Sequence, residues 1–179
     1  MAEKLDISNC IAVIVDVQEA FRSAIPDFAL IASRIALAGR AFAVLDVPIL
    51  VTEQYPQGLG RTAEEIVLSL PDDTEYIEKS TFSALGSEVF AEKLKSKVIL
   101  CGVETHVCVM QTALDLVEKG IEVHLLTDSV ASRFEHDKQA GLARMLAAGV
   151  ISSSTEMALF ELMKDSKHEK FKEIQSLIK

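Results

Sequence analysis

The sequence predicts a three-layer α/β fold, in which a Rossmann-like parallel sheet of six strands is covered by helices on both faces. Short runs rich in β-branched residues alternate along the chain with longer segments of helical periodicity. Several of these runs are apolar at consecutive positions, as a strand buried on both faces requires. Gly120 and Gly149 directly follow two helical segments, where a left-handed residue is typical.

The elements follow one another in a βα order, and most boundaries carry a recognisable signal. Thr105 is a candidate N-cap, and Ser132 with Glu135 and Ser166 with Glu169 are candidate capping boxes. The predicted helices are 26–45, 105–119 and 133–148, followed by a helix at the C-terminus. The predicted strands are 10–17, 47–53, 75–80, 97–103, 121–128 and 149–155.

Length and composition indicate one globular domain covering residues 1–179. The net charge of -9 and the lack of a Lys/Arg cluster argue against nucleic acid as a partner. No apolar run reaches the roughly 18 residues of a membrane span, so no membrane partner is expected. The N-terminus MAEKLDISNC resembles neither a secretory signal nor a transit peptide, and we expect a cytoplasmic protein.

No complete cofactor motif is present. Gly58 and Gly60 form only a fragment of a dinucleotide-binding fingerprint, and no glycine completes it three residues later. The three cysteines match no zinc-binding spacing, and a disulfide framework is not expected. We therefore expect neither a cofactor nor a metal.

Polar residues stand at the ends of several predicted strands. Because the binding crevice of a parallel α/β sheet lies beyond the carboxyl ends of its strands, these residues are expected to gather at one edge. Asp16 follows a strongly apolar run, which makes its burial costly unless it is paired. Lys79 ends the third strand, and two opposite charges converging on one crevice lower each other's desolvation cost. The residues at predicted strand ends are Asp16, Glu53, Lys79, Glu104 and Asp128.

Cys108 lies where the fourth strand passes into a helix. In the first helical turn, free amide groups and the helix dipole favour a thiolate, and a nearby ammonium lowers the pKa of a thiol further. A small buried residue that packs the helix start is an equally good interpretation of this segment alone. A Cys-His pair is disfavoured, because none of the four histidines has an evident path to the thiol. Cys10 and Cys101 are expected to be buried hydrophobes.

Several segments, in the same order along nearly the whole chain, resemble the isochorismatase-like hydrolases, a superfamily that includes the nicotinamidases. The stretch TEQYPQGLGRT and the tail KFKEIQSLIK look closest to the branch of isochorismatase-domain-containing proteins. The resembling segments are VDVQEAF, KSTFSAL, GVETHVCVMQTALD and SRFEHDKQAGLARMLAAG.

The resemblance implies a role for each of the predicted site residues. Asp16 would be the general base, Lys79 the group that stabilises thiolate and transition state, and Cys108 the nucleophile. It also implies a cis peptide between Val103 and Glu104. The amides of Glu104 and Cys108 would then form an oxyanion hole.

Two departures from related families narrow the reaction. Nicotinamidases carry an Asp-x-His metal site after the second strand, whereas this chain reads VTEQYPQG there, so we expect no catalytic metal. Isochorismatase proper, an ether hydrolase, resembles this fold but lacks the cysteine. The sequence therefore favours hydrolysis of a small amide or imide through a thioester. A thiol redox sensor and a catalytically silent scaffold remain as alternatives.

Substrate pocket and assembly are the least determined features. The apolar face formed by Phe171, Ile174, Leu177 and Ile178 predicts docking against the body or another subunit, and a homo-oligomer is the default expectation. A core role for two of the candidate pocket residues, Phe21 and Phe82, is at least as well supported. The candidate pocket residues are Gln18, Phe21, Glu53, Tyr55 and Phe82.

Overall fold

Six parallel strands form one sheet in the order β3-β2-β1-β4-β5-β6 in the computed structural model, which describes residues 4–179. Every neighbouring pair of strands is parallel, so all the carboxyl ends lie at one edge. This arrangement confirms the predicted fold class. The strands are β1 Cys10–Val15, β2 Ile49–Gln54, β3 Glu75–Lys79, β4 Lys97–Val103, β5 Glu122–Ala131 and β6 Ile151–Ser153.

Helices cover both faces of the sheet. Two short 3-10 segments, Glu19–Ser23 and Ala84–Gly86, and a π-helical turn, Thr105–Val109, complete the described elements. None of the helices within residues 4–179 has the length and apolar character needed to cross a membrane. The α-helices are α1 Phe28–Val44, α2 Pro56–Leu59, α3 Glu64–Val67, α4 Glu88–Glu92, α5 Met110–Glu118, α6 Glu135–Ala147, α7 Thr155–Met163 and α8 Phe171–Ile178.

The central strands are buried on both faces, which explains their consecutive apolar residues. In β1, Ala12 and Ile14 belong to the hydrophobic cluster beneath α1, α7 and α8. Ile11 and Val13 belong to the opposite cluster, beneath α4, α5 and α6. Since successive side chains in a strand point to opposite faces, each β1 residue contributes to one of the two cores.

The C-terminal helix α8 packs on its own domain. Ile174 is fully buried, and Phe171, Leu177 and Ile178 lie against the same cluster as α1. The apolar face of the tail is therefore used within the chain. It no longer supports the expectation of a second subunit.

Both predicted capping boxes are wrong. Helix α6 begins after Phe134, and the hydroxyl of Ser132 is hydrogen-bonded to His106 instead. Helix α8 begins after Lys170, four residues beyond the predicted cap Ser166. A capping motif is local, but the side chain takes whichever partner the tertiary fold brings to it. The positive φ angles predicted for Gly120 and Gly149 are confirmed, at 77° and 97°.

Strand β5 is longer than the sequence predicts. It continues through Asp128 to Ala131, and its pairing with β4 shifts between Leu100 and Gly102. Asp128 is therefore a strand residue, and its carboxylate accepts hydrogen bonds from the backbone and hydroxyl of Thr155. The expectation that Asp128 joins the polar edge residues is corrected accordingly.

Candidate active site

Asp16, Lys79 and Cys108 meet at the carboxyl edge of the sheet. Asp16 directly follows β1, Lys79 ends β3, and Cys108 lies in the turn after β4. This turn is the π-helix Thr105–Val109 with Glu104 at its N-cap, so the predicted cap Thr105 and the regular helix start are both wrong. The three side chains are nevertheless together. Asp16 is fully buried, Lys79 is 7% exposed and Cys108 is 6% exposed.

Asp16 and Lys79 form a buried ion pair. Lys79 Nζ lies 2.6 Å from Asp16 Oδ2, and neither side chain exposes more than 1% of its surface. The hydroxyl of Thr52 donates to the other carboxylate oxygen, Oδ1, at 2.7 Å. A carboxylate buried this deeply is tolerated because both of its oxygens accept hydrogen bonds and a cation compensates its charge.

The ammonium of Lys79 is held by several oxygens besides Asp16. Gln54 Oε1 lies at 2.8 Å, and the carbonyls of Thr81 and Phe82 both lie at 3.1 Å. Gln54 in turn donates to the carbonyl of Ser80. The ammonium is therefore fully coordinated, and its position is set by β2 and by the loop after β3.

The thiol of Cys108 is hydrogen-bonded to Asp16 and keeps its proton. Burial is the largest cause that raises the pKa of Cys108, to about 12, and the negative charge of Asp16 is the next. Lys79 acts in the opposite direction, while Glu104 adds a smaller increase. The expectation that the helix start and the ammonium together give Cys108 a lowered pKa is therefore wrong, although Lys79 does act in the expected direction. Desolvation and a neighbouring carboxylate outweigh both effects.

The peptide bond between Val103 and Glu104 is cis. The Glu104 carboxylate is buried and accepts from the backbone N–H and Nε of Arg133, at 3.2 and 2.8 Å. Its carbonyl accepts from Val107 and Val109 within the π-turn. Arg133 thus links the end of β5 to the residue that precedes the π-turn.

Two glycines allow the backbone segments around the site to approach closely. A Cβ on Gly102 would lie 2.1 Å from the carbonyl oxygen of Val15, and Gly102 has a φ of 128°. A Cβ on Gly141 in α6 would lie 2.9 Å from His106 Cα. Both contacts are with backbone, so neither glycine accepts a side chain without movement of the π-turn or of the adjacent strand ends.

Two of the predicted pocket residues are parts of the scaffold. Gln18 is fully buried. Its side-chain N–H groups donate to the carbonyls of Gln54 and Gly60, and its side-chain oxygen accepts from the N–H of Gln54. Phe21 packs against the core beneath α1. Their expected placement as pocket walls is therefore corrected. Both residues lie near the site in the sequence, but in the fold their side chains point into the interior.

Glu53 is also held within the chain. Its carboxylate accepts from the N–H and hydroxyl of Thr62, at 2.7 and 2.8 Å, and pairs with Arg61. Since Glu53 is 1% exposed and its oxygens are occupied, it is not a pocket wall. It is the only carboxylate of the stretch VTEQYPQG, which contains no histidine. These residues do not fit the metal site of nicotinamidases.

Across residues 4–179, no group of three or more His, Cys, Asp or Glu side chains is placed to hold a metal ion. His106 is bonded to Ser132, and its other ring nitrogen lies 3.8 Å from Asp137. His106 is thus held by α6 and by the residue that follows β5. They provide no histidine partner for Cys108.

Tyr55 and Phe82 are the exposed members of the predicted pocket set, with 59% and 55% of their surfaces accessible. Phe82 lines a groove of about 750 Å³ between the loop after β3 and helix α5. Asp16, Lys79 and Cys108 do not line this groove. The groove therefore lies beside the buried charged cluster rather than over it.

The remaining cysteines are remote from this chemistry. Cys10 and Cys101 belong to the cluster beneath α1, whereas Cys108 belongs to the cluster on the opposite face of the sheet. Cys101 is completely desolvated, which raises the pKa of its thiol to about 12. Because the sheet separates them, Cys101 is not placed to form a disulfide with Cys108.

Thr52 and Gln54 are site residues that the sequence reasoning missed. They are two positions apart at the end of β2, so both side chains point to the same face. One contacts Asp16 and the other contacts Lys79. The available signal was the run of three polar residues, 52–54, that ends the strand after three apolar residues.

Comparison with known proteins agrees with the fold and with the family resemblance. An isochorismatase domain is recognised over residues 10–157. Isochorismatase domain-containing protein 2 of Xenopus laevis is 39% identical over 98% of this chain and 86% of its own length. The MAR1 ribonuclease structure from Caenorhabditis elegans superposes with a TM-score of 0.92, at 37% identity over 98% of this chain and 92% of that one.

A more distant likeness concerns the fold alone. The YcaC protein of Escherichia coli, described as an octameric hydrolase of unknown specificity, has a TM-score of 0.91 at 24% identity. It covers 99% of this chain and 90% of its own. The domain match and the close relatives establish the family. The chain belongs to the isochorismatase-like hydrolases, in the branch of the isochorismatase domain-containing proteins.

Proposed function

We propose that this protein is a cysteine hydrolase that cleaves a small amide or imide through a thioester on Cys108. The observation that carries the proposal is the contact of one buried carboxylate with both a thiol and an ammonium. Asp16 accepts from Lys79 at 2.6 Å and is hydrogen-bonded to Cys108. Such a carboxylate is placed to take the thiol proton, which is the requirement for activating a sulfur nucleophile.

In the first step, the Cys108 S–H bond breaks and the proton moves to the Asp16 carboxylate. The sulfur electron pair forms a bond to the substrate carbonyl carbon, and the C=O π pair moves to the oxygen. Because the pKa of Cys108 is raised to about 12, the thiol needs a base in place when attack occurs. The Lys79 ammonium compensates the negative charge, which passes from Asp16 to the substrate oxygen.

The oxygen of the tetrahedral intermediate would be bound by the amides of Glu104 and Cys108, as the family resemblance implies. Arg133 supports this role by holding the Glu104 side chain in place. Amide donors aimed at a developing oxyanion are worth about 2.7–4 kcal/mol each in other hydrolases. They act without any metal ion, which agrees with the poor fit of this chain to the nicotinamidase metal site.

Collapse of the intermediate breaks the C–N bond, and the leaving nitrogen takes the proton from Asp16. Cys108 is left as a thioester. Asp16 then removes a proton from water, whose oxygen attacks the thioester carbon, and the Cys108 sulfur leaves and recovers the proton. The products are a carboxylic acid and an amine from an amide substrate, or a carboxylic acid and an amide from an imide, and the resting state is restored.

The same considerations guide our proposals on substrate, location and assembly. The low exposure of Cys108 favours a small substrate. The net charge of -9 disfavours RNA, although three similar solved structures carry the name ribonuclease. We propose that residues 1–179 work as one domain in the cytoplasm. We also propose a homo-oligomer, for which the octameric description of YcaC is the support.

The test uses 4-nitrophenyl acetate as an acyl donor, followed by a panel of small amides and imides. We expect an acetyl thioester on Cys108, located by peptide mass spectrometry, and no such adduct in Cys108→Ser. Asp16→Asn should lose most of the acylation rate. An unmodified Cys108 in the wild type, together with no amide turnover, would leave the silent scaffold as the better interpretation. Oxidation of Cys108 by peroxide without any acyl adduct would favour the redox sensor.

A further inference from the structure

Strand β2 lies between the strands that carry Asp16 and Lys79, and Thr52 contacts Asp16 in two ways. Thr52 pairs with Val15 of β1, and its carbonyl accepts the N–H of Asp16 at 3.1 Å. Its hydroxyl donates to Asp16 Oδ1 at 2.7 Å. Thr52 is fully buried, so it has no access to a substrate.

We propose that Thr52 is a positioning residue that holds the Asp16 carboxylate in the orientation needed to deprotonate Cys108. The inference rests on the proposed function, because it assigns Thr52 a role through the base. Thr52 and Lys79 occupy different oxygens, Oδ1 and Oδ2. With both oxygens bound, the carboxylate plane does not rotate, and the thiol meets it in one geometry.

The hydroxyl also satisfies the charged base. It donates to a fully buried carboxylate, in which an oxygen left without a hydrogen bond would be costly. The other charged or titratable groups that face Asp16 are the Lys79 ammonium from β3 and the Cys108 thiol from the π-turn. Glu104 acts on Cys108 as well. All of these groups are retained when Thr52 is replaced.

A neighbouring pair provides a matched control. Thr62 donates its hydroxyl to Glu53 Oε1 at 2.8 Å, and Thr62 is 3% exposed. This is also a buried threonine bound to a buried carboxylate. Glu53 follows Thr52 directly in β2, so its side chain points to the opposite face of the sheet. Loss of the Thr62 hydroxyl should cost stability without affecting Asp16.

The experiment measures acylation of Cys108 by 4-nitrophenyl acetate against pH, between about pH 4 and 8, with the adduct quantified at the Cys108 peptide. Thr52→Val, Thr52→Ser and Thr62→Val are compared with the wild type. Loss of a hydrogen bond that orients a charged group should lower the acylation rate of Thr52→Val by about tenfold to a hundredfold across this range. The rate falls because the carboxylate can then meet the thiol in more than one orientation. Thr52→Ser, which keeps the hydroxyl, should restore most of the rate, and Thr62→Val should keep the wild-type rate.

Thermal denaturation separates folding from positioning, and Thr52→Ala replaces Thr52→Val should the valine variant not fold. A wild-type acylation rate in Thr52→Val overturns the inference, as does an equal loss of rate in Thr62→Val or in Thr52→Ser. In those cases Cys108 is still acylated in the wild type, so the proposed function stands. If the wild type itself is not acylated, the base assignment fails and the role of Thr52 fails with it.

Discussion

The thiol of Cys108 should alkylate slowly near neutral pH, and replacing Asp16 by asparagine should accelerate it. Iodoacetamide alkylates the free thiolate, whereas attack on a bound carbonyl is assisted by Asp16 as the base. Asp16→Asn should therefore change the two rates in opposite directions. In the wild type, burial and the Asp16 charge raise the pKa of Cys108, and the hydrogen bond to Asp16 adds to this. Asp16→Asn removes the charge and keeps the size of the side chain, while Lys79 continues to favour the thiolate.

The magnitude follows from the raised pKa of Cys108. An ordinary thiol has a pKa of 9.0, and that of Cys108 is about 12. At pH 8 the thiolate fraction is then about one in ten thousand, compared with roughly one in ten for the ordinary thiol, a difference of about 1000-fold. Removing the Asp16 charge should raise the thiolate fraction of Cys108 by at least about tenfold, which corresponds to a pKa lower by about one unit.

The assay is the rate of iodoacetamide alkylation at each cysteine, measured by peptide mass spectrometry from about pH 7 to 10. In the wild type, the logarithm of the Cys108 rate should rise by about one per pH unit without a plateau near the ordinary pKa. The shape of the profile is independent of steric access, which slows all variants alike. Cys101 is the internal control, because it lies on the opposite face of the sheet and its rate should not respond to Asp16→Asn.

A plateau of the wild-type Cys108 rate below about pH 9 would refute the reasoning, since it would show a thiol that ionises readily. An unchanged or slower rate in Asp16→Asn would also refute it. In that case the Asp16 charge would not be a main cause of the raised pKa. A parallel change at Cys101 would indicate a general loosening of the fold instead.

Three further predictions concern the stability of the site and its independence of metal. Lys79→Met leaves the buried Asp16 carboxylate without its cation. The free energy of unfolding, measured by urea titration, should therefore fall by about 3–5 kcal/mol. Adding Asp16→Asn to the Lys79→Met chain should restore part of the lost stability. Gly141→Ala pushes a methyl group against the His106 backbone and should lower the free energy of unfolding by about 1–3 kcal/mol. Ala143→Ser, on the exposed face of α6, should change this free energy by no more than about 0.5 kcal/mol. A larger loss in the Ala143 variant would contradict this packing. Treatment with EDTA should leave the acylation rate unchanged, and a loss that zinc reverses would contradict the metal-free mechanism.

Much of the fold follows from local sequence patterns. Runs such as CIAVIVDV are apolar at every position, and β1 contributes alternate residues to both cores. Gly120 and Gly149 indicated helix ends correctly, because a left-handed backbone favours glycine whatever surrounds it. The capping boxes at Ser132 and Ser166 failed because a hydroxyl near a helix start also bonds to tertiary partners, as Ser132 does with His106.

The site was only partly predictable. The position of Asp16 and Lys79 at strand ends, together with the rule for parallel sheets, was enough to expect them at one edge. Gln18 and Glu53 were expected in the pocket because they lie near these residues in the chain. In the fold, both are occupied by hydrogen bonds to the loop after β2. Proximity in sequence does not determine which side of a loop a side chain faces.

The sequence by itself determined the fold class, the family and the presence of Asp16, Lys79 and Cys108 at the carboxyl edge, because periodicity and motif order are properties of the chain alone. Only the tertiary structure decided how Cys108 is protonated and what holds Asp16. Both depend on distances and burial among side chains contributed by separate strands. Thr52, Lys79 and Cys108 are far apart in the chain, yet all three contact Asp16. Electrostatic interactions change steeply with distance and solvent access, and neither quantity can be read from one segment of sequence.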